Sequence, residues 1–192
     1  MGTVIKGNPV SSGIEMGKAF LFHSPKNYFL KEHIDQNQVK MEEDRFQNAV
    51  RKSKSQLKKI SSDLEKKLGK EAALIIEAQY MLLDDRSLID SIGQVIRQEL
   101  VKTEWAIKEI EKKYVQLFSS IPDLAFQEKR NDISDILNRI ITNLKSSRNQ
   151  LGTEEETLIL IANDIPPSII ATLISQKKIL GLVLNNGCDT SH

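Results

Sequence analysis

Residues 157–184, TLILIANDIPPSIIATLISQKKILGLVL, decide the fold class. Residues 157–162 form a continuous apolar run of strand length, the pattern of a strand buried on both faces. Pro167 suits the first helical position, where a missing N–H costs nothing, and residues 168–176 fit a short helix. Residues 179–184 make a second apolar strand. Strand, helix, strand reads as a right-handed parallel crossover. Gly187-Cys188-Asp189-Thr190-Ser191-His192 follows the second strand and ends the sequence.

Two further zones precede this unit. Residues 3–30 read as strand and turn: Val4-Ile5 comes first, then glycines and prolines too dense for a helix, then the apolar run Ala19-Phe20-Leu21-Phe22, which suits a buried strand. Residues 34–146 read as helical. Asp35 with Gln38 forms a capping box and Ile34 with Val39 a hydrophobic staple. Val39, Phe46, Val50, Leu57, Ile60, Leu64 and Leu68 then recur on one helix face, and Gly69 ends the helix. Helices are expected near 71–83 and 88–100, with Asp84-Asp85-Arg86-Ser87 between them. Another is capped by Thr103 and carries Ile107, Ile110, Tyr114 and Leu117 on one side; a last one carries Ile133, Ile136, Leu137, Ile140, Ile141 and Leu144. Short connections suggest an antiparallel bundle. The expected fold is α+β: an α/β subdomain of residues 1–31 and 153–192, interrupted by a helical insertion of residues 32–152. An ending at Ser191-His192, directly after a Gly-containing turn, suggests a longer protein that has been truncated.

The 192 residues are 40% hydrophobic and 28% charged, with a net charge of +1. No overall basic field exists to hold a nucleic acid. No apolar run approaches the ~20 residues that cross a bilayer, and residues 1–7 lack the apolar core of a signal peptide, so the expected location is the cytoplasm. Cys188, the single cysteine, excludes an internal disulfide and suits a reducing compartment.

His192 is the leading candidate for chemistry. It follows the carboxyl end of a parallel strand, where open α/β sheets place their ligands. Thr190 or Ser191 is placed to cap a helix beginning just beyond, and free N–H groups there favour a phosphate. A partly neutral imidazole is a competent nucleophile. The structural alternative is a surface histidine in a loop. His23 and His33 read as solvated loop residues, no pair has metal-ligand spacing, and Cys188 is too isolated for a zinc site. Gly13-Ile14-Glu15-Met16-Gly17-Lys18 departs from a phosphate loop, with three residues between the glycines and Ala19 after the lysine. Residues 71–90 are biased to acid and carry Tyr80, Met81, Leu82 and Leu83, a combination that suits docking of a small basic protein or packing in a bundle.

Residues 7–19 (GNPVSSGIEMGKA), 77–85 (EAQYMLLDD) and 162–168 (ANDIPPS), with Thr190-Ser191-His192, together resemble enzyme I of the phosphoenolpyruvate-dependent sugar phosphotransferase system. Residues 7–19 (GNPVSSGIEMGKA) are similar to its opening, Ser-Pro-Gly-Ile-Ala-x-Gly-Lys-Ala. Residues 77–85 (EAQYMLLDD) resemble its Met-Leu-Leu-acidic stretch, and residues 162–168 (ANDIPPS) its Asp-Leu-Thr-Pro-Ser turn. Thr190-Ser191-His192 resembles the end of Gly-Gly-x-Thr-Ser-His, the phosphorylation motif. The resemblance implies a swivelling phosphohistidine subdomain with an inserted helical arm that binds the carrier HPr. It implies that His192 takes phosphate from phosphoenolpyruvate through Nε2 and passes it to HPr, in a pocket shaped by Gly187, Thr190 and Ser191. Glu71, Glu77, Gln79, Met81, Leu82, Asp85 and Leu88 are the implied carrier-binding residues. The phosphoenolpyruvate and Mg²⁺ site would lie in a carboxy-terminal barrel that also forms a homodimer; a monomer and no metal are expected of the present residues. Cys188, Asp189 and Pro166 replace Gly, Arg and Thr of the usual pattern, and Ser12 replaces a Pro. Arg86-Ser87 interrupts an acidic run, and Ser134-Asp135 stands where Arg-Asp is common. The first three substitutions bear on phosphate chemistry and the last two on carrier affinity. A nitrogen-type or regulatory paralogue, or a carrier-binding module with a vestigial histidine turn, are the alternatives.

Overall fold

The computed structural model describes residues 4–22, 29–119, 124–144, 157–163, 165–175 and 179–185, with side chains for all of these except 119, 124–128 and 175. The elements in order are β1 (Lys18–Phe22), α1 (Val39–Leu68), α2 (Lys70–Asp84), α3 (Arg86–Glu99), α4 (Thr103–Ser119), α5 (Leu124–Leu144), β2 (Leu158–Ala162), α6 (Pro167–Ser175) and β3 (Ile179–Leu184). The fold is α+β, mostly helical with a small parallel sheet. β1, before the helices, pairs with β2, after them, from Lys18 opposite Leu158 to Phe22 opposite Ala162. β3 pairs with the other edge of β2, so the order is β1-β2-β3 with every pairing parallel.

α1 organises the helices. At about 1.5 Å per residue its 30 residues span roughly 45 Å. It packs along α2 and α5 and also touches α3, α4 and α6. Its buried stripe contains Phe46, Val50, Leu57, Ile60 and Leu64 as the periodicity predicts. Two steps of seven, from 39 to 46 and from 50 to 57, are bridged by the buried polar residues Glu42 and Ser53. The Glu42 Oε1 atom accepts the Thr103 N–H at 2.9 Å and an Arg45 N–H at 2.7 Å. Thr103 is therefore the first residue of α4 rather than its cap: a carboxylate on α1 takes the free N–H that a helix start leaves. Arg45 also pairs with Glu104. Burial pushes the Glu104 carboxyl up, but the Arg45 hydrogen bond and Glu104's own backbone N–H bring it below its ordinary range.

Several local expectations change. Val4 and Ile5 form no strand and are 89% exposed each, since no partner strand lies beside them among the described residues. β1 is an edge strand with Leu21 exposed, not a buried one. Leu68 and Leu117 face solvent because the stripes of α1 and α4 have rotated past the core at those ends; Phe118 is buried instead. Gln38 Oε1 accepts the Asp35 N–H at 2.9 Å, the return half of the expected capping box. Gly69 closes α1 with φ +90°, and its N–H donates to the Glu65 carbonyl. Leu100 ends α3 in the left-handed region at φ +50°, and its carbonyl accepts the Ile34 N–H at 2.8 Å.

Candidate functional site

The carboxyl edge of the sheet is the first place to look. Ala162 and Leu184 stand opposite one another at the ends of β2 and β3, and the Asn185 N–H donates to the Ala162 carbonyl at 3.0 Å. The chain leaves β3 at this edge, seven positions before His192. His192 itself, with Gly187, Cys188, Asp189, Thr190 and Ser191, lies outside the described residues, as does His23. Beyond the end of β2, Ile165 and Pro166 directly precede α6. Pro166 has no hydroxyl to offer, and its carbonyl accepts the Ile169 and Ile170 N–H groups at 2.9 and 3.2 Å, which closes the first turn of α6.

The helical candidates divide by face. Ala73, Ile76, Gln79 and Leu83 form the buried side of α2. On the opposite side, at helical spacing, stand Glu71, Leu74, Ile75, Ala78, Met81 and Asp85, all exposed, with Leu82 half-buried beside them. Leu74 is 59% and Met81 69% exposed. Glu77 borders this strip, and Asp85 caps α3 by accepting the Ser87 N–H at 2.8 Å. The helix is apolar on both sides, and among the described residues only its inner side is packed, which leaves an exposed apolar strip. Glu71, Glu77, Met81, Leu82 and Asp85 thus share one accessible region. Gln79 and Leu88 do not belong to it. Both are buried, Leu88 in the core between helices and Gln79 against α5, because the helical period turns them inward.

Gln79 leads to a group that the sequence reading missed. Its Nε2 donates to Asp135 Oδ2 on α5 at 2.9 Å. Ser168 Oγ, in the first turn of α6, donates to Asp135 Oδ1 at 3.0 Å. Arg139, one turn along α5, reaches the Ser168 carbonyl at 3.4 Å and Gln56 Oε1 on α1 at 3.3 Å. Asn143 donates to Ser53 Oγ at 2.8 Å and to Gln56 Oε1 at 3.0 Å. Gln79, Asp135 and Ser168 are all buried. Burial pushes the Asp135 carboxyl up, against Ser168, Arg139 and Gln79, and it brings the Arg139 guanidinium below its ordinary value, against Asp135. Asp135 therefore faces inward, not toward a docked protein. Its spacing of four from Arg139 is that of a solvated ion pair, so the sequence offered no signal of burial; the gap left by Ser53 in the α1 stripe was the one available sign.

An open groove of about 870 Å³ between α1 and the end of α5 is lined by Lys40, Asp44, Arg45, Asn48, Lys52 and Asn143. It contains none of the candidate site residues named from the sequence, and its Lys40 and Arg45 are already paired with Asp44 and Glu104. Among the described residues no three His, Cys, Asp or Glu side chains gather as a metal site, and no helix is long and apolar enough to cross a membrane.

Similarity to known proteins follows the same lines. The chain is 32% identical over 196 aligned residues to the phosphoenolpyruvate-protein phosphotransferase of Mycoplasma capricolum, with all of this chain and 33% of that protein aligned. It is 34% identical over 191 residues to the protein of that name from Priestia megaterium, covering 98% of the chain and 32% of the relative. The chain thus spans about a third of the length of these relatives. Its structure resembles the solution structure of an enzyme I protein with a TM-score of 0.74 and 33% identity, over 92% of this chain and 71% of the other. The amino-terminal domain of a nitrogen-type enzyme I shares the fold, with a TM-score of 0.70 at 20% identity over 96% of this chain and 75% of the other. Residues 6–129 match the family described as PEP-utilising enzyme, N-terminal, and the chain belongs to that family.

Proposed function

We propose that this chain is the relay part of an enzyme I-type phosphoenolpyruvate-protein phosphotransferase of sugar uptake, acting in the cytoplasm. In this reading His192 is the phosphate carrier, and the outer face of α2 docks an HPr-type carrier protein. One observation carries the proposal furthest: β2 and β3 pair in parallel, and the chain leaves β3 at the carboxyl edge of the sheet a few residues before the Thr190-Ser191-His192 motif in sequence. The names of the relatives and the exposed apolar strip of α2 support it.

The chemistry assigned to the residues is simple. The neutral His192 Nε2 attacks the phosphorus of phosphoenolpyruvate, the bond to the enol oxygen breaks, and the enolate takes a proton to become pyruvate. A carrier imidazole then attacks the same phosphorus, the His192 N–P bond breaks, and His192 returns to its neutral form. The Thr190 and Ser191 hydroxyls and the Gly187 turn hold the phosphoryl oxygens. Glu71, Glu77 and Asp85 complement a basic carrier while Leu74, Ala78, Met81 and Leu82 meet its apolar surface. Phosphoenolpyruvate, Mg²⁺ and the homodimer contact are assigned to the carboxy-terminal barrel that the resemblance to enzyme I implies. Among the described residues no three acidic side chains gather to hold Mg²⁺.

Asp189, acidic where arginine is common, favours a second reading in which the module binds a carrier without relaying phosphate. Transfer between two imidazoles exchanges one N–P bond for another, so a phosphorylated carrier can load the chain in reverse. Incubation with a ³²P-phosphorylated HPr-type carrier should place acid-labile, base-stable label on the chain and none on His192→Ala. An unlabelled chain that still binds the carrier selects the second reading; label that survives His192→Ala removes His192 as the site.

A further inference from the structure

The outer face of α2 and the carboxyl edge of the sheet are separate surfaces, yet one buried side chain touches both of the elements that carry them. Gln79 stands on the inner face of α2, across the helix from Met81. Ser168 stands in the first turn of α6, the helix that follows the carboxyl end of β2. Asp135 holds one with each carboxylate oxygen: Gln79 through Oδ2 at 2.9 Å and Ser168 through Oδ1 at 3.0 Å. We propose that Asp135 is a positioning residue that fixes the first turn of α6 relative to the docking helix α2. This rests on the relay reading for its consequence in phosphoryl transfer, though not for its structural content.

The physical grounds are three. The group is sealed from water: Gln79 and Ser168 are 1% exposed and Asp135 is 7% exposed. Hydrogen bonds in such surroundings are strong, and an unmade one is expensive, so the three side chains hold one another in a single arrangement. Second, Ser168 is held twice, since Arg139 donates to its carbonyl while its hydroxyl donates to Asp135. The α6 turn is thereby referred to α5 at two points. Third, Gln79 Oε1 is buried with no hydrogen-bond donor. Packing alone would favour an apolar side chain here, because an orphaned acceptor costs free energy. The glutamine is retained by the bond its other amide atom makes to Asp135. The orphan also fixes which substitution is mild: with the Gln79 amide turned over, the side-chain amide introduced by Asp135→Asn donates to Oε1 and still accepts from Ser168.

Three variants separate the roles: Asp135→Leu removes both bonds, Asp135→Asn keeps both, and Ser168→Ala removes the α6 arm alone. Two measurements are made on each. Amide hydrogen exchange at Ile169 and Ile170, whose N–H groups close the α6 turn on Pro166, reads positioning directly. Phosphoryl transfer from a phosphorylated HPr-type carrier at saturating concentration reads its consequence, with the carrier Kd measured alongside. Asp135→Leu and Ser168→Ala should speed exchange at Ile169 and Ile170 at least tenfold more than in α1, and should slow transfer at saturation at least tenfold while Kd changes less than twofold. Asp135→Asn should stay within threefold of the parent in both. Exchange that rises equally in α1 and α6 means lost stability only and overturns the proposal. So does a raised α6 exchange with unaltered transfer, or an Asn variant as impaired as Leu. If the parent chain transfers no phosphate, the relay reading fails by itself, while exchange at Ile169 and Ile170 still decides whether Asp135 fixes the turn.

Discussion

Glu42 shows how much one polar side chain can organise. It lies in the apolar stripe of α1, and a single oxygen of its carboxylate takes both the first N–H of α4 and one N–H of Arg45. Removing that oxygen leaves a buried backbone donor without a partner and strips Arg45 of one of two carboxylates. Glu42→Ala should therefore destabilise by about 2–3 kcal/mol, measured as the shift in urea unfolding. Glu42→Gln keeps the oxygen and loses only the charge, and should cost about 1 kcal/mol or less. Equal losses in the two variants would mean that the charge on Glu42, rather than its acceptor for Thr103, holds α4 in place. The sequence contained this residue in outline. Steps of seven in the stripe mark one missing turn each, and Glu42 and Ser53 stand where those turns fall. What the periodicity could not supply is the partner, which lies 61 positions away in the chain.

Among the elements, α2 carries two opposed faces and makes two opposed predictions. Ile76 and Leu83 are buried at 1% and 0% exposure, so Ile76→Ala should cost about 2–5 kcal/mol through lost burial and a cavity. Leu74→Glu or Met81→Glu, on the outer face, should leave unfolding within about 0.5 kcal/mol of the parent, yet weaken an HPr-type carrier at least tenfold in calorimetry. A carrier that binds both variants as well as the parent removes this face from the docking surface. The helix boundaries were legible because local chemistry sets them: Gly69 between α1 and α2, Asp85 before α3, Pro167 at the start of α6. The inner or outer place of individual residues was less so. Gln79 and Leu88 belong to acidic, partner-like segments in the sequence, and only the packing of α2 and α3 against the remaining helices shows them turned inward. Asp135 is the extreme case, since a carboxylate four residues before an arginine looks solvated until the first turn of α6, distant in sequence, closes over it.

At the scale of the whole molecule, apolar packing is unequally divided. Among the described residues one cluster runs through all five long helices and reaches Ala171 of α6, whereas the sheet shares with α6 a cluster whose fully buried members are Leu160, Ala162, Ile165 and Leu173. β3 keeps Leu182 and Val183 39% and 52% exposed, and β1 leaves Leu21 at 58%. Parallel sheets are ordinarily covered on both faces, and this one, within the described residues, has α6 on its core. Less buried area means less free energy opposing local opening, so the sheet should open before the helices. α6 belongs to both clusters, through Ala171 on one side and Leu173 on the other, and is held to α5 by Ser168; it should open after the strands and before α1. Trp105, the single tryptophan, packs on the helical core beneath Lys31, so its fluorescence follows the helices alone. In sub-denaturing guanidinium, amides of Leu160 and Leu182 should exchange through openings at least about 2 kcal/mol below the unfolding free energy given by Trp105, with Ala171 between. A single opening free energy for β2, α6 and α1, equal to the fluorescence value, would mean instead that the Asp135 bonds and the α6 contacts weld sheet and helices into one cooperative unit.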